Sequence, residues 1–127
     1  MEVFSKAYLE EVIENQGKLF EYAQDYCPGM DIEDFIDHYM NSRTRSLIDE
    51  GQAYVSTMDA ESLFDYFLKN DKYKLKQGKE AGGFAPDWIG QFYALFQWMY
   101  RMPSKEVVRL LPVKFMFEGY PGLHDLD

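Results

Sequence analysis

His38 stands four residues after Asp34, a spacing that puts both side chains on one face of a helix. A metal site would need at least one further ligand, and no HExxH-type or paired-His spacing supplies it. The pair therefore reads as an ion pair or a partly buried histidine. His124, in Leu123-His124-Asp125-Leu126-Asp127, is the other histidine; a metal or acid–base role is its functional alternative. Cys27 is the one cysteine. A nucleophilic thiolate needs a neighbouring base or a helix N-terminus. Cys27 sits instead at a predicted helix C-terminus, where the dipole opposes it. Gly82-Gly83 is followed by Phe84 and lacks the Lys-Ser/Thr of a phosphate-binding loop. No catalytic residue, cofactor or metal is assigned, and an enzyme would need a site these patterns do not reveal.

Charge offers two surfaces. Asp31, Glu33, Asp34 and Asp37 crowd the start of a predicted helix. Capping and the helix dipole account for one or two of them. The surplus makes the four a candidate face for a protein partner with a basic surface. Arg101, Lys105 and Arg109 are spaced by four and form the alternative, an edge that could touch phosphates. The helix that would have to read bases, Val113 to Tyr120, has one Lys and no Arg, Asn or Gln. Nucleic acid is thus the less favoured partner. The net charge of −9 points the same way. Residues 1–68 carry 15 acidic and 4 basic groups, residues 69–127 carry 7 and 9, so the acid is concentrated in the first half.

These groups must be held by helices, because the apolar residues recur with helical spacing. Val3 to Tyr26 predicts a first helix with Leu9, Ile13, Gln16, Phe20, Ala23 and Cys27 in its stripe, Gly17 weakening its middle, and Pro28-Gly29 as its stop. A second starts at Asp31, with Ile32, Phe35, Ile36, Tyr39, Met40 and Arg43 inward, frays at Asn41-Ser42 and ends at Gly51. A third spans about Asp59 to Lys69, capped from Ser56-Thr57. Residues 70–85 form a Lys/Gly-rich loop, with a short turn or small hairpin around Tyr73-Leu75. The fourth helix, roughly 86–101, is apolar on nearly every side, which marks a buried centre or an interface. Ser104 caps a short fifth helix, and Pro112 opens a sixth that Gly119 and Pro121-Gly122 stop.

The expected fold is all-α: one domain over residues 1–127, about six helices around Phe92, Phe96 and Met99, with Phe35, Tyr39, Phe64 and Phe67 lining the core. The last two helices follow one another in helix-turn-helix-like succession. A chain of 127 residues with 46% hydrophobic and 17% aromatic content supports such a core without staples. Its folded surface should be about 7,000 Å². No apolar run reaches the ~18 residues of a membrane span. The N-terminal residues lack the basic and apolar pattern of a secretory signal, so a cytoplasmic location is expected.

Two stretches carry a family likeness. The first is Asp34-Phe35-Ile36-Asp37-His38-Tyr39-Met40-Asn41-Ser42 with Leu47-Ile48-Asp49. The second runs from Trp88-Ile89-Gly90-Gln91-Phe92-Tyr93-Ala94 through Gln97-Trp98-Met99-Tyr100 and Pro103-Ser104 to Tyr120-Pro121-Gly122-Leu123-His124-Asp125. Over roughly the last 95 residues the chain resembles small bacterial proteins of unknown function found beside genes for toxin-like ADP-ribosyltransferase domains. The resemblance implies an accessory or antitoxin-like role and not an enzyme, and it transfers no catalytic residue. Together with the charge it gives the leading expectation, a small acidic protein-interaction module. The alternatives are a DNA-associated regulator, an enzyme with an unseen site and, for the apolar fourth helix, a homodimer.

Overall fold

Pro and Gly punctuation divides the chain much as its periodicity requires. The computed structural model describes residues 6–78 and 83–124. Among them are a 3₁₀ turn (Lys6–Tyr8) and eight α-helices. These are α1 (Leu9–Tyr26), α2 (Ile32–Met40), α3 (Arg43–Asp49), α4 (Ala53–Ser56), α5 (Ala60–Asn70), α6 (Ala85–Tyr100), α7 (Ser104–Leu110) and α8 (Val113–His124). The all-α class holds, with no strand among the described residues beyond one antiparallel bridge, Met30 to Gln77. The accessible surface is 7236 Å², close to the value expected of one compact unit. The expected helix start at Val3 and the residues Lys79 to Gly82 lie outside the described residues.

Eight helices replace the expected six for local reasons. The Asn41-Ser42 stretch is a capped break and not a fray. Ser42 donates its hydroxyl to the Tyr39 carbonyl at 2.6 Å and accepts the Arg45 N–H at 2.9 Å, closing α2 and opening α3. The restart rotates the register, so Arg43 is exposed and Arg45 takes the inward position. Gly51, at φ 78°, ends α3 in a conformation few other residues adopt. The short α4 follows, and the cap of α5 is Asp59, which accepts the Ser62 N–H at 2.8 Å, in place of Ser56-Thr57. Ser104 is the first residue of α7 and not its side-chain cap. The last helix runs on past Gly119 and Pro121 to His124. The Tyr120 ring, 5.5 Å from Trp88, holds that turn against α6.

The main packing axis is α1 against α6. It is made by two glycines. A Cβ on Gly90 would lie 2.7 Å from the Gln16 carbonyl oxygen and 2.8 Å from the Gly17 Cα, so the two backbones touch there. Gly17 is therefore retained for close approach, which offsets its cost to helix propensity. Gly90→Ala should lower stability by about 1–3 kcal/mol, because backbone and not a flexible side chain must move. Urea unfolding reads this directly, and an unchanged midpoint would contradict the crossing.

The crossing also decides which side of α6 is inside. The expected centre of Phe92, Phe96 and Met99 is a correction: Ile89, Gly90, Tyr93, Ala94 and Gln97 are buried, Phe92 and Phe96 are half-buried, and Met99 is exposed. A helix apolar all round does not reveal its inner face by periodicity, and the smallest side chain allows the closest contact. The other expected core residues, Phe35, Tyr39, Phe64 and Phe67, are buried. Phe35 is ringed by Phe20, Phe64, Phe67 and Tyr73 at centroid distances of 5.4–6.4 Å.

Candidate functional site

The acidic quartet lies where α2 begins, but its members do different work. Asp31 is the cap: its Oδ1 accepts the Asp34 N–H at 3.0 Å. Its own N–H donates to the Lys76 carbonyl at 2.8 Å, and Gly78 N–H donates to the Gly29 carbonyl at 2.9 Å. These bonds fold the Lys-rich segment back across the start of α2. The expected hairpin around Tyr73-Leu75 is thus replaced by pairing with the residues that precede α2. Asp34 anchors the segment by side chain. Its Oδ2 accepts the Tyr73 hydroxyl at 2.7 Å, and Lys76 Nζ lies 3.4 Å from Oδ1. His38 Nδ1 is 2.9 Å from the Asp34 carbonyl and 3.4 Å from Oδ2, so the expected pairing forms. Glu33 is half-buried, Asp37 is exposed, and neither forms an ion pair among the described residues.

Burial alone would raise the Asp34 carboxyl, but the Tyr73 hydroxyl, His38 and Lys76 together hold it below the ordinary carboxylate range. Burial, then the bond to Asp34, pushes the Tyr73 hydroxyl well up, so it stays a donor. A carboxyl depressed in the folded state contributes stability above its unfolded value of about 4 and loses it as pH falls through the folded value. Tyr73→Phe should therefore cost about 1.5–3 kcal/mol at pH 7, as for a hydrogen bond to a charged group. The gap to wild type should close below about pH 4. Urea midpoints at both pH values test this; a gap that persists in acid would point to packing alone.

The segment is a lid on one wall of a groove of about 440 Å³ lined by His38, Asn41, Phe67, Asp71, Lys72, Tyr73, Lys74 and Lys76. The Tyr73 ring stacks on Phe67 at 5.3 Å and tilts toward His38 at 5.1 Å. The Asp71 carboxylate is turned away to the first turn of α3, accepting from Arg43 N–H at 2.8 Å and Thr44 N–H at 3.1 Å.

The basic edge does not assemble as its spacing suggests. Arg101 lies outside α7, as the left-handed C-cap of α6 at φ 52°. Lys105 is exposed on α7, and Arg109 is paired with Glu106 on the same helix. Val113 and Met116 of α8 are buried. Cys27 is half-buried at the C-cap of α1, and burial raises its thiol. The side chain of His124 lies outside the described residues. Among the described residues no three His, Cys, Asp or Glu are placed to hold a metal.

One polar cluster escapes sequence reading. Arg45 is fully buried and donates through Nε to Gln16 Oε1 at 2.7 Å, through Nη1 to Asp49 Oδ1 at 2.6 Å and through Nη2 to Gln97 Oε1 at 2.6 Å. Gln97 Nε2 donates to Asp49 Oδ1, and Ser104 N–H donates to Asp49 Oδ2 at 3.0 Å. Gln16 Nε2 closes onto the Gly90 carbonyl at 2.7 Å. One ion pair thereby ties α1, α3, α6 and α7 together. Gln16 inside an apolar stripe was the local signal that something polar waited opposite.

No family model matches the chain, and no curated protein or solved structure matches it. No helix among the described residues is long and apolar enough to cross a membrane.

Proposed function

We propose that the protein is a small acidic interaction module, cytoplasmic and of accessory or antitoxin-like type, that docks a partner protein with a basic surface. The observation that carries this reading is the division within the acidic quartet. The Asp31 carboxylate is used in capping α2 and its N–H in holding the 71–78 segment, and Asp34 is tied to Tyr73 and Lys76, whereas Glu33 and Asp37 are left without a cation among the described residues. Glu10 and Glu11 on α1 are exposed and equally unpaired among the described residues. Uncompensated carboxylates on an ordered surface steer association with a basic face.

The test is affinity capture from native lysate with wild type and Glu33→Lys/Asp37→Lys, read by mass spectrometry and circular dichroism. A stoichiometric basic partner, lost in the folded variant and at high salt, is the expected result. The same partners bound by both proteins would overturn the assignment of the face. The DNA-associated reading draws less support, because the basic edge is divided between a helix cap and an ion pair and α8 gives its apolar side to the core. A gel shift at about 50 mM salt, lost in Lys105→Glu/Arg109→Glu, would reinstate it.

A further inference from the structure

The groove beside α2 gathers positive charge on an acidic chain. Lys72, Lys74 and Lys76 line its space of about 440 Å³, together with His38 and Asn41, although the net charge of the whole chain is −9. Asp71 is the one carboxylate in that lining. Its oxygens are already taken by the Arg43 and Thr44 N–H groups and the Thr44 hydroxyl. Lys72 and Lys74 are exposed and form no ion pair among the described residues. Lys76, 3.4 Å from Asp34, shares that carboxylate with Tyr73 and His38.

The backbone that carries these lysines is fixed along its length. Lys72 takes φ 51°, in the left-handed turn after α5 where glycine is favoured, and the Tyr73 N–H donates to the Leu68 carbonyl at 3.1 Å. The Tyr73 hydroxyl on Asp34 pins the middle, and the Asp31 N–H holds the Lys76 carbonyl at 2.8 Å. Lysine binds as a point charge, which suits phosphate, and no arginine fork of the kind that matches a flat carboxylate lines the groove. A phosphomonoester carries about −1.5 to −2 at neutral pH. The volume falls within the ~300–1,000 Å³ of small-molecule sites, and a phosphoryl group alone would fill only part of it. A long polyanion would have to leave the groove and meet exposed Asp37 and the acidic remainder of the chain.

We propose that this groove binds a small organic phosphate. Lys72, Lys74 and Lys76 hold the phosphoryl oxygens, and the organic part lies toward His38, Asn41 and Tyr73. With Nδ1–H donated to the Asp34 carbonyl at 2.9 Å, the other ring nitrogen of His38 is an acceptor, suited to a ligand hydroxyl. The contacts to phosphate are solvent-exposed, so binding weakens as salt rises. The proposal does not rest on the docking of a basic protein.

The test is titration of the isotope-labelled full chain with AMP and with ribose phosphate, read by backbone amide chemical shifts. At least one ester should bind saturably by about 5 mM, a range that reaches millimolar affinity. Its shifts should centre on His38, Asn41 and the Lys72 to Lys76 run. Adenosine and ribose should not bind, and inorganic phosphate should bind at least about tenfold more weakly than the ester. Lys72→Gly/Lys74→Gln should weaken binding at least about tenfold while the urea midpoint stays at or above that of wild type, because glycine suits the left-handed turn. Lys74→Gln alone should weaken it several-fold, and it decides the matter if the double variant loses helix. Lys6→Gln/Lys105→Gln, which removes the same charge elsewhere on the surface, should bind as wild type does. No saturable binding of either ester, binding unchanged in the groove variants, inorganic phosphate as tight as the esters, or a single-stranded oligonucleotide tighter than AMP would each overturn the proposal.

Discussion

Asp49→Ala should lower the free energy of unfolding by about 3–5 kcal/mol, because it leaves a buried guanidinium without its counter-charge. Arg45 is fully buried and Asp49 nearly so, at 6% exposure. The substitution strands the Arg45 Nη1, the Gln97 amide and the first N–H of α7 at once. Against a total of about 5–15 kcal/mol for a domain, that is a large share. Equilibrium urea unfolding measures it. Arg45→Met/Asp49→Leu should cost much less than the single change, since replacing a buried pair with apolar residues of similar volume is often neutral. A loss under about 1 kcal/mol for Asp49→Ala would mean that water reaches the pair.

That cluster also marks the limit of what is legible in the sequence. Local signals are local physics, and most are readable: Asp31 as a cap, Pro28-Gly29 and Gly51 as stops, Pro86 at the start of α6, the all-helical class. The Asp34–His38 pairing at i,i+4 is readable for the same reason. The partners of Arg45 on other helices lie 29 and 52 residues away, and Ser104 lies 55 from Asp49. No periodicity encodes such separations. The capped break at Ser42 compounds this, because a one-helix reading sends Arg43 inward in place of Arg45. Similarly, the anchoring of Asp34 by Tyr73 spans 39 residues, so the quartet reads as four equal acids until the 71–78 segment is seen folded over two of them. The inner face of α6 is a third case. Its composition is apolar on every side, and only the contact of Gly90 with Gln16 and Gly17 of α1 fixes the rotation.

The same rotation separates two phenylalanines that composition treats alike. Phe35 is fully buried, with an aromatic neighbour on four sides. Phe35→Ala removes the ring and leaves a cavity bounded by Phe20, Phe64, Phe67 and Tyr73, whose own positions are set by α1, α5 and the Asp34 bond. Collapse is therefore restricted, and the cost should fall at about 3–5 kcal/mol. Tyr73 should loosen with it, carrying the groove wall and Lys76 away from Asp34. Phe96 is half-buried on the outer face and loses mainly its stacking on Phe92 and Tyr100. Aromatic pairs contribute about 0.5–1.5 kcal/mol beyond area, so Phe96→Ala should cost the monomer roughly 1–2 kcal/mol. The two variants, unfolded in urea, should differ by at least about 1.5 kcal/mol. Equal losses would place the α6 ladder inside the core.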